Sequence, residues 1–264
     1  LEFRRVLFRS LRGIASVLTA EHYELVIYSI DTEEDLDNYV QMLVNTQRVD
    51  GLIFLCLSLK DAVLDLLKNA TFPVCFVEKE YEDFDCVVVH NLKGGQAAAE
   101  FLAERGCVRP GFIGETSPHA FGVNATEERL QGFKFYWANK GIVIPDEHVW
   151  VGDFSEGKVD EGISRFLSQK DMPDGIFCSS DMIAARFIRL ALAKGISVPR
   201  DVRVIGFDNI EIADYLGLTS VSQNLDESGK MAAKLVLERI KDRERGITVM
   251  KVPISVIERD STGA

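Results

Sequence analysis

Residues 175–209, GIFCSSDMIAARFIRLALAKGISVPRDVRVIGFDN, decide the fold. An apolar strand runs into a polar cluster, then an amphipathic helix, a glycine stop at Gly195, and a second strand ending in acid. That order is one βαβ unit, whose two strands finish on the same edge of a sheet. Ser179, Ser180 and Asp181 end the first strand; Asp208 and Asn209 end the second. In open α/β sheets, ligands bind outside the carboxyl ends of the strands. The unit therefore places a small-molecule site lined with hydrogen-bonding groups, with no catalytic machinery in view.

The same alternation extends outward from this unit. Strand patterns occur at 25–30 (LVIYSI), 51–57, 74–78, 86–89, 110–114, 148–152 and 250–257 as well as in the unit itself. Several are continuous apolar runs, the mark of parallel strands buried on both faces. Helical patterns lie between them at 11–20, 35–46, 60–69, 94–105, 127–140, 158–169, 182–194 and 227–243. Gly106, Gly141 and Gly195 each stand where a helix must end in a left-handed residue. This is an α/β plan of parallel sheets flanked by helices. The strands are too many for one compact sheet, so two Rossmann-like subdomains with a cleft between them are expected. The turn-forming stretch 116–126, TSPHAFGVNAT, marks the expected break, and a second crossing is expected around 216–224. The resulting division is 11–118 plus about 223–245 for the first subdomain, and 119–222 plus about 246–264 for the second. Residues 1–10, LEFRRVLFRS, carry no strand pattern, although a doubly wound half begins with a strand before its first helix. A truncated or foreign start is expected there.

Composition narrows the function. The chain has 264 residues, 47% hydrophobic and 27% charged, with a formal net charge of -11. Proteins that grip nucleic acid by neutralising phosphates are usually basic, so this chain is not itself expected to bind DNA or RNA. Five cysteines, widely spaced and without a CxxC pair, speak against a zinc site and suit buried, reduced thiols in a cytoplasmic protein. No apolar run approaches a membrane span and no secretory signal is legible. GxSxG, a Walker A loop, HExxH and GxGxxG are all missing, and the four histidines are dispersed. Neither a metal, a cofactor nor an enzymatic activity is expected.

Individual positions carry what remains. Arg129, in ATEERLQGF, opens a helix, where a positive charge opposes the macrodipole. It either reaches a ligand with its planar fork or forms a local salt bridge to Glu127 or Glu128. Asp208 either accepts from ligand hydroxyls or caps the helix that follows. Asp181 reads as a helix cap first and a pocket residue second. Phe154, at a strand end in VGDFSEG, either stacks on a ligand ring or fills the core. Gly94 and Gly95, at a strand-to-helix turn, read as close packing rather than as an anion cradle.

With these residues in hand, the chain resembles the effector-binding domain of the LacI/GalR (lac-repressor) family of bacterial transcription regulators. The resemblance runs from about residue 11 to 262 through RVDGLIFL, FPVCFVE, HNLKGGQAAAEFLAERG, RLQGF, VWVGDFSEG, PDGIFCSSDMIA, GISVPRDVRVIGFDN, LTSVSQNLDESGKMAAKLVLERI and VPISVIERDST. It implies a periplasmic-binding-protein-like fold, a small effector such as a sugar or nucleobase in the cleft, and a homodimer. It assigns ligand contact to Arg129 and Asp208, and an aromatic contact to Phe154. Ser180, beside Asp181, stands where the family usually has Asn; His90 stands where an acid is common; Gln223 is placed near the cleft. The family's helix-turn-helix, which would meet operator DNA, and the strand preceding residue 11 do not occur in this sequence. A periplasmic sugar-binding protein of an uptake transporter shares the fold and is the alternative; the free cysteines and the closing RDST speak against it.

Overall fold

The computed structural model of the chain describes residues 3–117, 119–153 and 157–263. The chain opens with helices α1 (Phe3–Ala20) and α2 (Glu33–Thr46). It continues through β1 (Leu52–Leu55), α3 (Asp61–Lys68), β2 (Val74–Val77), β3 (Asp85–Val89), α4 (Asn91–Glu104), β4 (Pro110–Thr116), α5 (Ala125–Asn139) and β5 (Val149–Asp153). There follow α6 (Lys158–Phe166), β6 (Gly175–Cys178), α7 (Asp181–Ala193), β7 (Arg203–Phe207), α8 (Glu211–Tyr215), β8 (Thr219–Ser222), α9 (Leu225–Lys241), β9 (Val249–Val252) and β10 (Ser255–Ile257).

Two sheets result. The first has the order β1-β2-β3-β9, all parallel. The second has the order β10-β8-β7-β6-β4-β5, parallel except for β10, which runs against β8. β2, β3 and β6 are buried along their whole length, as their unbroken apolar runs require. Each sheet carries a core on both faces. In the first, Phe54, Phe76 and Leu64 fill one face and Val77, Val87 and Val236 the other. In the second, Ile176, Phe187 and Val204 fill one face and Phe112, Phe133 and Phe177 the other. A fully buried side chain such as Phe177 contributes roughly 1.5–3 kcal/mol of transfer free energy.

The chain changes subdomain at His90, between β3 and α4; at Gln223 and Asn224, between β8 and α9; and at Pro253 and Ile254, between β9 and β10. The sequence expects the first crossing at 116–126, but β4 already belongs to the second sheet, with Pro110 opposite Gly175 and Phe112 opposite Phe177 on β6. Turn-forming residues at 116–126 mark a loop, but loop chemistry does not say which ladder a strand joins. This loop folds back as a clasp. Ser58 donates its backbone N–H to Phe121 O at 2.7 Å, Val123 donates to Cys56 O at 3.2 Å, and the Phe121 ring is buried in the first core. The expected division is corrected at the tail too, where 250–257 is two strands, β9 pairing with β3 and β10 with β8.

Residues 25–30 form no strand, and Val26 and Ile27 are about 60% exposed. A strand exists only in a ladder, and β1 at the sheet edge pairs with β2 alone among the described residues. Most of 1–10, strandless in the sequence reading, is helical from Phe3 on and continues into α1. That helix lies along α9, held by Arg9 and Arg12 on the Asp226 carboxylate.

Candidate functional site

The carboxyl ends of both sheets meet between the subdomains. Cys56 and Glu78 follow β1 and β2, and Asn91 opens α4 just after β3. From the second sheet come Ser179 and Ser180 after β6, Asp208 after β7 and Gln223 after β8. Arg129 joins them from the second turn of α5. Its reach depends on how closely α4 and α5 pack. A Cβ on Gly95 would fall 2.0 Å from Arg129 O, and one on Gly132 would fall 1.9 Å from Leu92 O, so only glycine lets these backbones touch. The close-packing reading of Gly94 and Gly95 is the one realised, since a Cβ on Gly94 would meet the Phe207 ring at 2.6 Å.

Arg129 is buried, at 6% exposure, and bonds to neither Glu127 nor Glu128 in the contacts described. Nε donates to Asn91 Oδ1 at 2.9 Å and Nη1 donates to Ser179 O at 2.7 Å. Nη1 also lies 3.8 Å from Asp208 Oδ1, and the guanidinium carbon sits 3.6 Å from the centre of the Phe207 ring. Burial, a cation–π face and two directed hydrogen bonds hold the fork rigidly. Asp208, buried and in a left-handed backbone conformation at φ 101°, accepts from Gln223 Nε2. It does not cap α8, whose N-cap is Ile210.

Burial pushes the Asp208 carboxyl up to about 7; Arg129 opposes that rise, and the Glu78 charge adds to it. Burial likewise raises Glu78, against the pull of Arg129, and raises the neighbouring Cys56 thiol. The Arg129 charge thus bears on two carboxyls, one from each subdomain. Glu78 and Asn91 escaped the sequence reading. The rule that singled out Asp208, an acid at the carboxyl end of a buried strand, applies equally to Glu78 at the end of VCFVE.

The remaining candidates divide. Gln223 is 1% exposed; its Nε2 serves Asp208, and its Oε1 has no partner among the described residues. Ser180 is the N-cap of α7, its Oγ accepting from Ile183 N at 3.3 Å. Asp181 is not the cap that the sequence suggests. Its carboxylate accepts from Ile210 N at 2.8 Å and from Ser220 Oγ at 2.6 Å, tying α7 to the ends of β7 and β8. Burial holds it well above the usual carboxylate range. His90 stands half-buried on the first crossing as the N-cap residue of α4, with no side-chain cap hydrogen bond. Phe154 lies outside the described residues. All five cysteines are free and buried.

The arrangement can accept and orient hydrogen-bonding ligands. No group of three or more His, Cys, Asp or Glu among the described residues is disposed to hold a metal, and no described helix is long and apolar enough to cross a membrane. Cavities of about 450 and 160 Å³ open elsewhere on the first subdomain, the larger beside Arg239 and Asp85, and neither is lined by the strand-end cluster.

Residues 99–262 match the family described as the periplasmic binding protein-like domain. The HTH-type transcriptional repressor PurR of Proteus mirabilis is 30% identical over 257 residues, covering 95% of this chain and 74% of that protein. Among solved structures, a putative LacI transcriptional regulator from Bacillus cereus subsp. cytotoxis superposes with a TM-score of 0.87 at 25% identity, covering 98% of this chain and 93% of the other. A LacI family regulator from Enterococcus faecium, solved with bound ribose, shares the fold with a TM-score of 0.82 at 24% identity, covering 97% and 94%. Strand-end cluster, two-sheet architecture and these relationships agree: the chain belongs to the LacI/GalR family of transcriptional regulators and forms its periplasmic-binding-protein-like effector-binding domain.

Proposed function

We propose that the chain is the sensing and dimerisation part of a cytoplasmic DNA-binding regulator, and that it takes a sugar or related polyol between its subdomains. The observation that carries this reading is the buried cluster of Arg129, Asn91, Asp208 and Gln223 at the strand ends of the second subdomain, with Glu78 at a strand end of the first. Directed acceptors and a rigid guanidinium suit a ligand that presents several hydroxyls. The ribose bound to the Enterococcus faecium regulator supports the same class. Arg129, Asp208, Gln223 and Glu78 contact ligand; Asn91 aims Arg129; His90 flanks the entrance. Ser180 and Asp181 act by fixing α7 and the loop after β7. Phe154 is assigned a stacking role on the resemblance alone.

A ligand touching both subdomains favours one relative orientation of them, and it shifts that balance only by its difference in affinity for the two states, commonly ~1–3 kcal/mol. In a homodimer the shift passes to paired helix-turn-helix segments outside this sequence. The net charge of -11 leaves phosphate contact to those segments. Thermal-shift and calorimetric titration of neutral sugars tests the reading. Saturable stabilisation, lost in Arg129→Ala but retained in a surface variant such as Lys234→Ala, is expected. A panel of sugars that leaves the melting temperature unmoved rejects it.

A further inference from the structure

Arg129, Asp208, Gln223 and Cys56 are all buried, none more than 6% exposed. A sugar-sized molecule cannot reach them while the subdomains stand in this arrangement, so access requires the two bodies to part. A contact that resists parting lies at residues 119–123. By its flanking elements this segment belongs to the second subdomain, since it leads from β4 into α5, the helix that carries Arg129. Its Phe121 ring is nevertheless buried in the first core, in the cluster that holds Leu36, Leu59 and Val63. The exposed His119 ring stacks on it, with centroids 4.9 Å apart and planes 16° from parallel. Leu57 and Gly122 form an antiparallel bridge, flanked by the bonds from Ser58 N to Phe121 O and from Val123 N to Cys56 O.

We propose that Phe121 is a releasable latch. It pins the second subdomain to the first at the β1 side of the cleft, and the strand-end cluster becomes accessible only when the ring leaves the first core. Leverage is one reason. The latch grips the carboxyl end of β1, the edge strand on the opposite side of the first sheet from β9, whereas chain crossings follow β3 and β9. Two to three strand spacings of about 4.8 Å set it roughly 10–14 Å from those pivots. The socket is the other reason. A space of about 160 Å³ borders the ring, lined by Leu36, Leu59 and Val63 and rimmed by Glu33, Asp37 and Lys60. That side of the ring lacks the close packing of a core, so it can withdraw without tearing the core open. Arg9 Nη1, which donates to Asn209 O at 2.6 Å, is a polar tie between the same two bodies. Water can replace that bond, but it cannot replace an aromatic ring in an apolar socket. The latch uses no group of the ligand cluster, so it holds whatever the effector is.

Cys56 is the reporter, and no ligand is needed. Its N–H bonds to Val77 O in its own sheet, and its carbonyl accepts from Val123 of the latch. The charges of Asp208 and Arg129 bear on its thiol, so part of its cover is the second subdomain. The whole chain is treated with a thiol-reactive probe in native buffer, and the modified cysteines are located by peptide mass spectrometry. Phe121→Ala is expected to speed labelling of Cys56 by about 10- to 100-fold, the factor that matches the loss of a buried aromatic ring. Cys86, buried in the same core as Phe121, is expected to keep its rate. Phe121→Leu keeps an apolar knob and is expected to stay close to the native rate. Equal acceleration of Cys56 and Cys86 means a loosened core and overturns the proposal, as does an unchanged Cys56. Should Phe121→Ala fail to fold, amide exchange on the native chain decides. The Ser58 and Val123 amides are expected to exchange at one common rate, slower than unprotected amides and faster than those of β2. Exchange of the two at the unprotected rate, or as slowly as β2, overturns the latch.

Discussion

Asp208→Asn isolates the charge that burial disfavours. The Asp208 carboxyl is pushed up to about 7 in the folded chain, against about 3.9 when solvated. Between those values the folded state holds one proton more than the unfolded state. Stability therefore falls as pH rises, by about 1.4 kcal/mol per pH unit. The favourable contribution is complete below about pH 4 and is lost as pH climbs through about 7. Across the whole window the loss is ~4 kcal/mol, and between pH 4.5 and 8 it is about 3 kcal/mol. Asparagine keeps the shape and an acceptor for Gln223 Nε2 but cannot ionise. Glu78 and Asp181 remain in both proteins, so their titration cancels to first order in the difference. Urea unfolding of both proteins at pH 4.5, 6, 7 and 8 is the assay. The stability of the Asn variant relative to the native chain is expected to improve by about 3 kcal/mol over that range. A difference that stays flat refutes the assignment of burial as the dominant cause. A difference that moves the other way means the Arg129 ion pair outweighs desolvation.

Other perturbations test other parts of the structure. Asp85→Ala strands Arg239, whose Nη2 reaches Asp85 Oδ1 at 2.8 Å, and it also removes the acceptor of Thr248 N. Breaking that pair is expected to cost about 3–5 kcal/mol in chemical denaturation, with little effect on ligand affinity. Gly132→Ala drives a methyl into Leu92 O and parts α4 from α5. A loss of about 1–3 kcal/mol is expected, together with weakened ligand binding, because Asn91 and Arg129 no longer meet. The five buried cysteines should resist a thiol-reactive probe in native buffer and react at once in urea, read by absorbance. Fast native labelling of any one of them contradicts its buried placement.

Local chemistry was legible wherever a residue's neighbours along the chain fix its setting. The helices at 158–166 and 181–193 and the strand end at Asp208 follow from periodicity, capping and the strand-end rule. Arg129 stood out because its charge opposes the helix dipole, a conflict that needs a partner elsewhere. That partner proved to be Asn91, 38 residues away, together with the Ser179 carbonyl. Nothing local announces such a pairing; it needs Gly95 and Gly132 to bring two helices into backbone contact. Strand identity shows the same limit. LVIYSI at 25–30 has the composition of a strand, but pairing depends on a neighbour in space, and the described ladders hold none for it.

What the sequence by itself determined is therefore the alternation of strands and helices, the acidic surface, and the chemistry at the end of the unit 175–209. Those properties depend on residues a few positions apart. Only the tertiary structure decided that β4 lies in the second sheet, that the Glu78 charge from the opposite subdomain bears on Asp208, and that Asp181 is spent on Ile210 and Ser220. Each of these depends on which distant backbone comes within hydrogen-bonding or Coulombic range. Long-range ladder register and helix contact set that distance, and the order of residues along the chain does not.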